Sequence, residues 1–124
     1  MYRDPAQLTV FQQADALALT LVRALSGIPL SPIACTLSSA AIRPALRIQE
    51  ACRKPGHAAF GEGLLRAAEA AQELHYLCGL AFRSGFIDAG SEAQALHLVK
   101  ALMKLRKMQR ERTVEAPPAE PLTA

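Results

Sequence analysis

The sequence predicts an all-α protein, an antiparallel up-down four-helix bundle, and three observations lead there. Alanine (24) and leucine (18) far outnumber valine (4) and isoleucine (5), so strong helix formers dominate the apolar set. Apolar residues recur at spacings of three and four in four separate segments. The connections between those segments are roughly 4 to 8 residues long, which turns each helix back along its neighbour. A chain of 124 residues that is 51% hydrophobic is one domain with a real core. No GxGxxG or GxxxxGK[ST] run occurs, and with so few β-branched residues this argues against a nucleotide-binding α/β fold.

The first helix has two candidate starts. Thr9 and Gln12 have capping-box spacing, while Asp4, Pro5 and Gln7 offer an earlier one. Phe11, Ala14, Leu17, Ala18, Leu21, Val22 and Leu25 form its stripe, and Ser26 with a left-handed Gly27 is expected to end it. The second helix starts at Ser31, a natural N-cap, with Pro32 at the first helical position. Its stripe is Ile33, Leu37, Ala41, Ala45, Ile48 and Cys52. Pro44 removes one backbone bond inside it, and because the apolar period continues, a kink is expected there.

The third helix covers about residues 58–84, with Phe60, Leu64, Ala67, Ala71, Leu74, Cys78 and Ala81 on one face. Gly61, Gly63 and Gly79 each cost roughly 1 kcal/mol against alanine, and such glycines often let a neighbouring helix approach closely. Leu65, Leu77 and Leu80 give this helix a second apolar face, which calls for a further partner surface and predicts self-association. Ser84 and Gly85 are its stop. The fourth helix is expected to start at Ser91, with Gln94 completing a capping box and Glu92 meeting the helix dipole. Leu98, Leu102 and Leu105 mark its buried side. The bundle is predicted over 1–112, and 113–124, with three prolines and two acids, is predicted to be a disordered tail.

No secretory signal is expected, since Asp4 and Asp15 interrupt the N-terminal region. The charge-free stretch from Ala24 to Ile42 is broken by Gly27, Pro29 and Pro32 and is too polar to cross a membrane. Cys35, Cys52 and Cys78 form no CxxC pair. They read as reduced, buried small hydrophobes in a cytoplasmic protein, with no metal and no cofactor implied.

Several positions resemble the four-helix-bundle family of ribosomal-RNA intervening-sequence proteins, which includes the accessory variability proteins of diversity-generating retroelements. Val10, Phe11 and Gln12, followed by Ala14 and Leu17, match the family's opening pattern. Ile48 and Glu50 match part of its second helix, where Pro44 is shifted by one position from the family's proline, and Glu73, Leu74, Ala81, Gly85, Phe86 and Ile87 match its third in register. Ser38 and Ser39 stand where the family carries an arginine pair. The resemblance spans about residues 8–108. It implies a homopentameric ring, nucleic-acid binding, no enzymatic activity and, in the retroelement branch, a reverse transcriptase or another protein as partner.

The titratable residues test that expectation. His75 and Cys78 lie three apart on one helical face, but a Cys–His nucleophile needs an orienting third group that the sequence does not supply. Glu50 and Glu73 could act as paired carboxylates, or as partners of Arg43, Arg47 or Arg66 in a buried or interfacial ion pair; with no substrate pocket to argue for, such ion pairing is the expectation. Lys100, Lys104, Arg106, Lys107, Arg110 and Arg112 crowd the last helix against one acid, Glu111. Lys100, Lys104 and Lys107 share a face, and Arg43, Arg47, Arg53 and Lys54 add a second basic group, of which Arg43 and Arg47 are the candidate phosphate contacts. Repeated around a ring, this makes a candidate phosphate-binding surface for RNA or DNA without sequence specificity. The bland alternative is a solvated face with favourable dipole charges, and the functional alternative is a protein-binding scaffold that contacts no nucleic acid. A small enzyme is a third reading.

Overall fold

A computed structural model describes residues 3–29 and 31–115, with side chains up to 111. Among the described residues all regular structure is helical: a short 3-10 turn at Pro5–Gln7, then α1 (Thr9–Ser26), α2 (Pro32–Ala41), α3 (Arg43–Cys52), α4 (His57–Arg83) and α5 (Gly90–Glu115). The four predicted helices are present, the second of them as the α2–α3 pair.

Both candidate N-terminal starts are used. The Asp4 carboxylate accepts from Ala6 N at 3.1 Å and opens the 3-10 turn. At the start of α1 no capping box forms between Thr9 and Gln12. Gln12 Nε2 instead donates to Ala6 O at 2.8 Å, an acceptor that the preceding turn brings within reach. The end of α1 also departs from expectation, because Gly27 has φ −96° and is not left-handed. Ser26 Oγ donates to Arg23 O and Ile28 N to Leu25 O, and Pro29 disfavours helical backbone at Ile28.

Ser31 caps α2 as predicted, accepting from Ala34 N at 3.2 Å with Pro32 following. The Pro44 effect falls at Ile42, which separates α2 from α3 yet keeps a right-handed backbone (φ −91°, ψ −13°). The helix thus ends at Ala41 and restarts at Arg43 in place of the expected kink within one helix, because Pro44 has no N–H to donate back across Ile42; Ala34, Leu37, Ala40 and Ala41 before the break and Pro44, Ile48, Ala51 and Cys52 after it are buried.

Gly56, at φ +79°, turns the chain into α4. That helix ends in a Schellman motif. Gly85 is left-handed (φ +84°), Phe86 N donates to Ala81 O at 2.9 Å and Gly85 N to Phe82 O at 3.0 Å. α5 begins one residue before the predicted Ser91, because Asp88 Oδ1 accepts from Gly90 N at 3.0 Å and fixes the start earlier. Ser91 is buried one position inside. α5 continues to Glu115, past the predicted boundary at 112; proline first disfavours helix at the residue before Pro117, so 113–115 can extend it. The predicted tail from 116 onward lies outside the described residues.

α4 packs against α5, α3 and α2, while α1 packs against α5, α2 and α3; among the described residues the backbones of α1 and α4, and of α5 and either α2 or α3, do not approach closely. The core is centred on Phe60, Leu21, Leu37, Ile48, Leu64, Leu74, Leu98 and Leu102. Each such side chain contributes about 1.5–3 kcal/mol by leaving water. Alanine supplies twelve of the twenty-five buried hydrophobic residues among those described. The second apolar face of α4 is half-covered at Leu65, Leu77 and Leu80, while Tyr76 and Phe82 are exposed. Val22, assigned to the first stripe, is 44% exposed; Val10 is buried in the core. Cys52 and Cys78 are buried and Cys35 is exposed, correcting the expectation for the third thiol: α2 turns Ala34, Leu37 and Ala41 inward and leaves Cys35 outside.

Candidate nucleic-acid interface

The predicted basic residues fall on two elements whose backbones do not approach closely among the described residues. Lys100, Lys104 and Lys107 lie on α5, all exposed, and none pairs with an acid among the described residues. Their spacing places them along one side of the helix, and burial of Leu98 and Leu102 turns that side outward. From Lys100 to Glu111, α5 carries five cations against one acid.

Arg43 and Arg47 lie on α3, half-exposed, and each is held by a glutamate. Arg43 Nη1 donates to Glu73 Oε1 of α4 at 3.0 Å, and Arg47 Nη1 to Glu50 Oε2 within α3 at 3.2 Å. The expected ion pairing of Glu50 and Glu73 is thus present, but both pairs are exposed and not buried. Exposed pairs of this kind contribute about 0–1 kcal/mol each. Along the α3–α4 seam, Arg43, Arg47, Lys54 and Arg66 face Glu50, Glu62, Glu69 and Glu73, four charges of each sign. The seam is formally neutral, whereas the outer half of α5 is strongly basic. Only the latter concentrates a field that attracts phosphates.

The histidines have separate partners. His75 Nε2 lies 3.9 Å from Glu92 Oε2, Gln13 Nε2 donates to His97 Nε2 at 3.4 Å, and His57 Nδ1 donates to Gln109 Oε1 at 3.0 Å. Cys78 is fully buried, and its thiol is pushed up to about 11, by burial first and then by the Glu92 carboxylate. Burial likewise raises Cys52. At neutral pH these thiols are protonated, the opposite of an activated nucleophile. Among the described residues no three His, Cys, Asp or Glu side chains are grouped to hold a metal, and no helix is long and apolar enough to cross a membrane.

Two features escaped the sequence reading. Arg3 N donates to Cys52 O at 3.1 Å, and its guanidinium lies 4.0 Å from the centre of the Phe60 ring, tying the N-terminal segment to α3 and α4. No spacing rule signals that contact. The start of α4 and the last turns of α5 also enclose a cavity beside His57 and Arg106. The end-to-end alignment of two long neighbouring helices could have indicated it. Compared with family models, with curated proteins and with solved structures, the chain matches none.

Proposed function

We propose that the protein is a non-catalytic, oligomeric adaptor that binds RNA or DNA through phosphates. The observation that carries this reading is the exposed, acid-free row of Lys100, Lys104 and Lys107 on a strongly basic half-helix. Arg43 and Arg47 are auxiliary contacts, since each must first leave its glutamate. In this proposal the bundle is antiparallel and up-down. The pairing of Arg43 with Glu73 and of Ala51 with Gly63, with one index rising as the other falls, supports that arrangement. The resemblance to intervening-sequence and retroelement accessory proteins supports a homopentameric ring with a reverse transcriptase or another protein as partner, and the free cysteines support a cytoplasmic location. Exposed Tyr76 and Phe82 supply apolar surface for self-association.

The test is titration of labelled RNA and DNA at several salt concentrations. Affinity should fall steeply with salt and depend weakly on sequence. Replacing the three lysines with glutamate should abolish binding while circular dichroism stays unchanged, and single replacements should each flatten the logarithmic salt slope by about 1. A parent protein that binds nothing at low salt would overturn the reading. A second reading, a protein-docking scaffold, is favoured by the neutral α3–α4 seam flanked by exposed Ile42 and Leu46. Light scattering coupled to gel filtration tests the assembly directly, and a monomer at tens of micromolar would remove the ring.

A further inference from the structure

We infer that the cavity between the first turns of α4 and the last turns of α5 is a pocket for one phosphate group, held by Arg106 and Arg110. The inference rests on the nucleic-acid reading for its source of phosphate, but its geometry is separate from the lysine row. The cavity measures about 360 Å³. Arg106 is half-buried, and its Nε is shut away from solvent without an acceptor. A buried guanidinium N–H with nothing to donate to is costly, and a charged oxygen in the cavity is the acceptor that relieves it most once the Arg106 side chain turns that N–H towards it. Arg110 lines the same cavity one helical turn later and makes no ion pair among the described residues, so two planar donor groups are available to one anion. Glu62 also lines the cavity, and its one negative charge leaves the two arginines with a net positive charge.

Gly61 is an independent pointer. A methyl group built on it meets nothing within 4 Å, so no packing contact requires glycine there. It nonetheless sits inside a long helix, where glycine is unfavourable. Because it lines this cavity, its missing side chain leaves room for a ligand to approach the helix backbone. His57 completes the wall: Gln109 Oε1 can only accept, so Nδ1 carries the hydrogen and Nε2 is left unengaged by that bond. The first turn of α4 has no side-chain cap, and its positive end adds to the same field.

The phosphate can come from a nucleic-acid strand, at an end or within it, or from free phosphate. The experiment uses the full-length chain and three probes: inorganic phosphate, and one labelled RNA with and without a 5′-phosphate. Gly61→Leu fills the cavity without changing charge, and Arg110→Gln removes one donor from an exposed position. Phosphate should raise the melting temperature of the parent and not of Gly61→Leu. RNA affinity should fall about tenfold in each variant, the loss expected for one charge-assisted contact. If only 5′-phosphorylated RNA loses affinity, the pocket takes strand ends; if both RNAs do, it takes backbone phosphates. Phosphate stabilisation that depends on Gly61, in a protein that binds no RNA, would retain the pocket and remove the adaptor reading. Parental RNA binding and parental phosphate response in both variants would overturn the pocket and leave the lysine surface standing.

Discussion

Gly63 of α4 lies directly against Ala51 of α3: a Cβ added to Gly63 would sit 2.5 Å from the Ala51 Cβ and 2.7 Å from its Cα. Two helix backbones meet here with no space for a methyl group. Two residues earlier, Gly61 has open space at the same point of construction. The pair makes a matched test in one helix. Gly61→Ala should stabilise by about 0.5–1 kcal/mol through helix propensity. Gly63→Ala should destabilise by about 1–3 kcal/mol despite the same propensity gain, because α3 must move away. Urea unfolding of both variants measures the contrast, and equal effects would refute it.

Thiol reactivity should divide two ways. Cys35 is exposed, and Cys52 and Cys78 are buried with raised thiol pKa. In native protein one thiol should react rapidly with an alkylating reagent; after unfolding all three should. Mass spectrometry of the labelled peptides identifies the fast site, and a fast Cys52 or Cys78 would contradict the packing.

Stability should also decline at alkaline pH. The folded state holds the Cys78 proton up to about 11, against 9.0 for the free thiol. Its contribution is therefore complete below pH 9 and is lost as pH rises from 9 to about 11. That interval corresponds to about 3 kcal/mol as an upper order of magnitude. Cys78→Ala should have lower stability at neutral pH but a flatter profile between pH 9 and 11. Parallel profiles for the parent and the variant would rule the assignment out.

Breaking the Arg43–Glu73 pair gives opposite signs for folding and binding. Glu73→Gln should change stability by less than about 1 kcal/mol, because both groups are substantially exposed. If Arg43 assists phosphate binding, freeing it should tighten RNA association by about two- to fivefold at low salt. Fluorescence anisotropy at two ionic strengths reads this. Unchanged affinity would confine the interface to α5.

Much of the fold is legible because local chemistry and tertiary packing agree. The Ser31–Pro32 start of α2, the Gly85 stop of α4 and the Leu98–Leu102 stripe follow from rules that act within a few residues. The failures occur where a nearby group competes. Asp88 captures the first amide of α5 ahead of Ser91, and Ala6 O takes the amide that would have completed the Thr9 box. Glycines cannot be sorted by sequence alone: Gly63 is at a close approach, and Gly61 is not. The basic character of α5 is visible in composition, but pairing of Arg43 and Arg47 with glutamates depends on which helix faces which. The cavity beside Arg106 needs residues 57 and 109 at one place, a relation set only by how α4 and α5 are aligned.

An interior built so largely from alanine is economical in freedom and poor in slack. Alanine has no rotamers to surrender when it is enclosed, so ordering Ala40, Ala67, Ala71, Ala81 and Ala95 carries little entropic penalty. The same side chains have no torsions through which to yield. An added methylene at such a site must be accommodated by moving whole helices, so strain introduced at one seam is passed to the neighbouring ones as rigid displacement.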